Sequence, residues 1–109
     1  MSPIPRQANR RDRDEAGVIH AFEQCGAQLV TRMAVRGVPD LLMATARGHL
    51  FLVEVKTRGK SEGTYRTTPD QDAFFYKAEI NDWPCWICHG VDGVLEIINK
   101  MDRRVRSRI

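Results

Sequence analysis

Asp40 and the run Glu54-Val55-Lys56 are the residues of this chain whose types and spacing could do chemistry. Two carboxylates brought side by side repel unless a cation neutralises them, and hard oxygen donors suit a hard divalent ion. Held there, such an ion polarises a substrate oxygen and lowers the pKa of a bound water. An ammonium beside it adds a fixed positive charge and a group able to handle a proton. The chemistry requires only that the three side chains meet.

A hairpin would bring them together. Asp40 to Thr45 reads as one strand and His49 to Thr57 as a second, joined by Ala46-Arg47-Gly48, with Gly48 where a three-residue loop wants a left-handed residue. Pairing Thr45 with His49 sets Leu42 against Leu52 and Asp40 against Glu54, whose Cβ atoms would then lie about 5 Å apart. Side chains alternate along a strand, so Glu54 and Lys56 share one face while Phe51, Val53 and Val55 fill the other. A solvated Glu-Lys pair on a surface hairpin is the commoner fate of such residues. Here the pair ends an apolar run, Leu50 to Val55, which predicts burial on at least one face. Pro39 stiffens the entry to Asp40 and biases Val38 toward extended backbone.

A further carboxylate comes from the first helix, predicted over about 12 to 25. Val18, Ile19, Phe22 and Cys25 form its apolar stripe, and Glu15 lies three, four and seven positions before the first three, so it faces inward. Asp14 falls at the edge of the stripe; Asp12 and Glu23 read as solvated. A first-turn acid is also favoured by the helix dipole alone.

Gly37-Val38-Pro39-Asp40, then Phe51 to Lys56, then Gln71 at the start of a helix resembles the PD-(D/E)XK nuclease superfamily. Within it, the Gly-x-Pro-Asp form and the compact length are similar to the VRR-NUC (virus-type replication-repair nuclease) family, from about Glu15 to Ile98. The resemblance implies a restriction-endonuclease-like core and Mg2+ or Mn2+ held by Asp40, Glu54 and the backbone carbonyl of Val55, with Glu15 contributing from the first helix. It implies that Lys56 orients or deprotonates the attacking water and that Gln71 matches the family's supporting glutamine; a polar residue in the first turn of a helix needs no such role. Small stand-alone members of that family are associated with homodimers cutting branched DNA such as four-way junctions. The expected function is therefore a metal-dependent DNA endonuclease. A flap or nicking nuclease acting as a monomer and a non-catalytic nucleic-acid-binding module are the alternatives.

With 109 residues the chain has room for a single domain with one modest core, 1–109. The predicted order after a basic start is helix (12 to 25), strand (27 to 32), the two hairpin strands, a loop (58 to 68), helix (69 to 82), strand (84 to 89) and helix (91 to 100). This α-β-β-β-α-β-α order gives a mixed sheet flanked by helices, at the border of α/β and α+β. No apolar run suggests an export signal or a membrane span.

The net charge of +3 is unevenly placed. Arg6, Arg10, Arg11 and Arg13 crowd the N-terminus, Arg58, Lys60 and Arg66 surround the loop after Lys56, and Lys100, Arg103, Arg104, Arg106 and Arg108 crowd the C-terminus. Such clusters suit a phosphate backbone and predict salt-sensitive DNA binding; disordered, merely solubilising tails are the plainer alternative. Arg11, Arg13, Arg58, Lys60 and Arg66 are the DNA-binding candidates, with Tyr65 placed to stack on an unpaired base.

Cys85-Trp86-Ile87-Cys88-His89 matches the spacing of c-type haem attachment, and Cys-x-x-Cys also serves redox and zinc sites. On a strand, positions 85 and 88 project to opposite faces, so buried thiols are expected instead. Three cysteines, an odd number, fit a reducing cytoplasm. Trp83 and Trp86 are expected in the core or facing a partner, and His20 and His49 carry no assigned role.

Overall fold

The computed structural model describes residues 6–56 and 67–107, with residues 6–13 as backbone only. Its elements are α1 (Arg6–Gln24), β1 (Gln28–Arg32), β2 (Leu41–Ala44), β3 (Leu50–Val55), α2 (Pro69–Asn81), β4 (Cys85–Cys88) and α3 (Val94–Ser107), with a 3-10 turn at Val91–Gly93 ahead of α3. The four strands form one sheet in the order β1-β2-β3-β4. The first three pair antiparallel, and β4 joins β3 in parallel after the crossover through α2. This is the expected mixed sheet flanked by helices, in the expected order of elements.

The central hairpin has the predicted register, Leu42 opposite Leu52, closed by Thr45 N–H to the His49 carbonyl at 2.9 Å. The register settles the two faces. Leu41, Met43, Phe51, Val53 and Val55 are buried together against Val18, Ile19 and Phe22 of α1 and Val94, Ile97 and Met101 of α3. Phe22 meets Phe51 edge-on at 5.6 Å between ring centres. The opposite face carries Leu42, Leu52, Glu54 and Lys56 and looks toward α2, where Ala78 is the buried residue.

Three sequence expectations shift. α1 starts at Arg6 rather than near 12, because Gln7 to Arg13 are fair helix formers that carry no apolar stripe for a periodicity reading to detect. Cys25 leaves the stripe and is exposed. The helix closes before it in a Schellman motif, with Ala27 N–H to Phe22 O and Gly26 N–H to Glu23 O, both 3.0 Å. α3 continues to Ser107, so Arg103, Arg104 and Arg106 lie on a helix rather than in a tail. Arg104 is held by Asp82 at the end of α2, at 2.9 Å.

One close approach fixes α2 to the hairpin. Gly37 has φ +81, and a Cβ there would lie 2.9 Å from the Asp70 Cβ, so the Gly-Val-Pro-Asp segment lies flush against the first turn of α2. No other residue type fits that gap without displacing the backbone. Arg36 adds an ion pair to Asp70 at 2.8 Å, both groups largely in solvent.

Candidate active site

Strand pairing places the two acids. Continuing the observed register beyond Leu41 and Val53 sets Asp40 opposite Glu54. Asp40 accepts a hydrogen bond from the Val55 N–H through Oδ2 at 3.0 Å, which pins its carboxylate against the backbone of the strand that carries Glu54. Glu54 is fully buried, and the Lys56 side chain is 11% exposed. An acid and a lysine sheltered together at a strand end are costly to desolvate, and that expense is common where chemistry is done.

Gln71 joins them. Its Oε1 accepts from Lys56 Nζ at 3.0 Å and from the Thr68 N–H at 3.0 Å, and its Nε2 donates to Glu54 Oε1 at 2.9 Å. Two donors at Oε1 and an acceptor at Nε2 fix the orientation of the amide. Lys56 Nζ also lies 3.6 Å from Glu54 Oε1. The contact between Gln71 and Thr68 is half of a capping box, completed by the Gln71 N–H to Thr68 Oγ1 at 3.2 Å. The same side chain thus starts α2 and bridges the buried acid to the buried lysine.

Glu15 stands apart from this cluster. It faces inward from α1, with its side chain 14% exposed, and pairs with Arg32 Nε at 3.7 Å on the α1 side of the sheet. Among the described residues no three His, Cys, Asp or Glu side chains gather closely enough to hold a metal ion. A metal set on the geometry present would rest on Asp40, Glu54 and the Val55 carbonyl, with Glu15 paired to Arg32. These are hard oxygens from adjoining strands, a donor chemistry that fits Mg2+ or Mn2+ better than a thiophilic metal. Of the other candidates, Arg58, Lys60, Tyr65 and Arg66 lie outside the described residues, as do the side chains of Arg11 and Arg13. Arg32 and Arg36, which no motif singles out, are cations that the fold sets beside Glu15 and Asp70.

The Cys85-x-x-Cys88 pair reads as packing. Burial, together with the nearby Glu54 charge, pushes the Cys85 thiol from its ordinary 9.0 up to about 12, and burial pushes Cys88 up to about 11. Cys88 sits in the core and donates to the Gly90 carbonyl at 3.1 Å. Near neutral pH both stay protonated, so neither offers a ready thiolate for disulfide exchange.

No protein-family model matches the chain, and no curated protein matches it in sequence. Among solved structures, one described as a VRR_NUC domain is similar over 81% of this chain and 92% of its own length, with a TM-score of 0.63 and 23% identity. At that identity the likeness is one of fold, and the mixed four-stranded sheet with flanking helices is compatible with that of a VRR_NUC domain.

Proposed function

We propose that the chain is a PD-(D/E)XK nuclease of the VRR-NUC kind, a metal-dependent endonuclease that hydrolyses phosphodiester bonds of DNA, acting on branched DNA as a homodimer. The observation that carries this reading is the buried bridge from Glu54 through Gln71 to Lys56, with Asp40 tied to the Val55 N–H beside it. A surface hairpin has no use for such an arrangement. The VRR_NUC-like fold supports the same reading independently.

Hydrolysis adds negative charge to a phosphate that is already anionic, and the divalent ion would supply the opposing charge and a bound water of lowered pKa. Asp40 and Glu54, with the Val55 carbonyl, are the residues that would hold it. Lys56, steadied by Gln71, keeps its ammonium beside Glu54, where it can orient the attacking water and offset charge on the phosphate. Gln71 holds the Glu54 carboxylate and the Lys56 amine at a fixed separation, so neither must reorganise when substrate arrives. A homodimer gives two sites related by a twofold axis, which symmetric cutting of two strands requires. Tyr76 and Ile80, exposed one turn apart on α2, and Trp83, exposed just beyond its end, supply apolar surface for such a contact.

The test offers labelled four-way junction, flap, single-stranded and linear duplex DNA with Mg2+, Mn2+ or EDTA. Cutting of at least one branched substrate is expected, dependent on metal. Asp40→Asn, Glu54→Gln and Lys56→Ala should each lower it roughly 100-fold or more while leaving DNA binding largely intact. Cutting that survives EDTA, or an Asp40→Asn protein that still cuts, would defeat the mechanism.

A further inference from the structure

β1 is an edge strand with an irregular register. Leu29 pairs with Met43, yet Thr31 pairs with Leu42 and Arg32 with Leu41, so Val30 is an extra residue in a β-bulge. Without it, strict alternation would set Arg32 opposite Asp40, on the opposite face from Leu41. The bulge turns Arg32 onto the face of Leu41, toward α1, where Glu15 meets it at 3.7 Å. Bulges beside functional sites commonly re-aim a side chain in this way. The backbone there is firmly placed, since the Met33 N–H donates to the Asp40 carbonyl at 2.7 Å, directly after Arg32.

The ion pair so formed is lopsided. The Glu15 side chain is 14% exposed, whereas that of Arg32 is 60% exposed. As a stabilising contact it is worth little, because a guanidinium so open to solvent is well screened. As a recognition device it is well arranged. The contact is made through Nε, which leaves the terminal nitrogens of a planar fork for a second partner at the same end of the sheet as Asp40, on the opposite face, and that fork is the side chain best matched to a phosphate.

We propose that Arg32 is a DNA-phosphate-binding residue at the end of the sheet that carries the site, on its α1 face, and that Glu15 holds its place in the free protein as a stand-in for the phosphate. The assignment rests on the nuclease reading above and adds a residue to it. DNA and Glu15 compete for the same guanidinium, so Arg32 reaches the substrate only by giving up its contact with the carboxylate.

The competition makes the assignment testable in the full chain with a labelled four-way junction. Binding is titrated in EDTA over a range of NaCl concentrations, and cutting is measured in Mg2+. Arg32→Ala should weaken binding about tenfold, flatten the dependence of log Kd on log salt by roughly 0.9, and raise KM far more than it lowers kcat. Arg32→Lys should recover the salt slope with only part of the affinity, since the charge returns without the fork. Glu15→Gln should bind the junction more tightly than wild type, whatever it does to cutting, because the competitor is gone. Thermal midpoints should stay close to wild type throughout. A wild-type slope and KM in Arg32→Ala would overturn the assignment, as would a loss that follows a fallen midpoint and is not recovered by lysine. A wild-type protein that binds the junction and cuts nothing would instead defeat the nuclease reading, and the slope comparison would still decide the role of Arg32.

Discussion

The amide of Gln71 shows how much can depend on one atom type. The third position of a capping box accepts glutamate as readily as glutamine, because either offers an oxygen to the backbone N–H of the cap. Only glutamine can then also donate, as Nε2 does to the buried Glu54 at 2.9 Å. Gln71→Glu therefore preserves the helix start and sets a carboxylate against a carboxylate. It should lower kcat roughly 100-fold and cost on the order of 1 to 3 kcal/mol, read as a fall in the chemical-denaturation midpoint. The sign of the pH dependence follows from the neighbour. Glu54 disfavours ionisation of the new acid and raises its folded pKa, so the protonated form, which can donate, is retained at low pH. The deficit should be smallest below about 4.3 and grow as pH rises through the folded pKa. A deficit that is flat with pH would mean that Gln71 acts as a cap alone. Sequence pattern could nominate Gln71 but not this bridge, which ties the first turn of α2 to the end of β3; hydrogen bonds of that range leave no periodic signal. Arg32 was less legible still, because its direction depends on an extra residue in β1 that alternation alone does not reveal. Asp40, Glu54 and Lys56 were readable because their meeting needs only a local turn and a period of two.

Elements position these residues through contacts that are mostly backbone to backbone. The tightest is Gly37 against Asp70, which couples the segment leading into Asp40 to the helix turn that carries Gln71. Gly37→Ala would both occupy a left-handed φ of +81 and push its Cβ to 2.9 Å from the Asp70 Cβ. A cost of about 2 kcal/mol is expected, and with it a loss of cutting out of proportion to the fraction unfolded, because the two halves of the site move apart. Asp70→Gly removes one of the clashing atoms, so the double variant should be less damaged than the two single effects added together. Strictly additive losses would show that strain in φ, rather than the helix contact, is what matters. The fold around this joint was largely open to sequence reading, since the hairpin, the crossover helix and the parallel fourth strand each carry local signals. The misplaced boundaries have separate causes: Gln7 to Arg13 carry no apolar stripe to mark the start of α1, and the charged run after Met101 hides the end of a helix that still buries that methionine.

At the scale of the whole molecule, the two faces of the sheet are unequally finished. The α1 and α3 side holds nearly all of the core, whereas on the other side Leu50, Ile87, Tyr76, Ile80 and Trp83 stay exposed. Trp83 is 45% exposed even though its ring meets that of Phe74 at a tilt, 5.9 Å between centres, and Tyr76 and Ile80 are more open still. Scattered apolar residues at a surface need no explanation, but Tyr76 and Ile80 one turn apart on α2, with Trp83 just past its end, make a patch. A second copy of the chain packed on that patch by a twofold axis would bury it and bring two Glu54 sites into one particle. Sedimentation equilibrium should then report a dimer at micromolar protein, and Ile80→Ser with Trp83→Ser should shift it to monomer. The monomer should nick one strand of a junction where the dimer cuts two, because each copy retains its own Asp40, Glu54 and Lys56. A double variant that remains dimeric, or a monomeric wild type that still makes paired cuts, would place the partner surface elsewhere or remove the need for one.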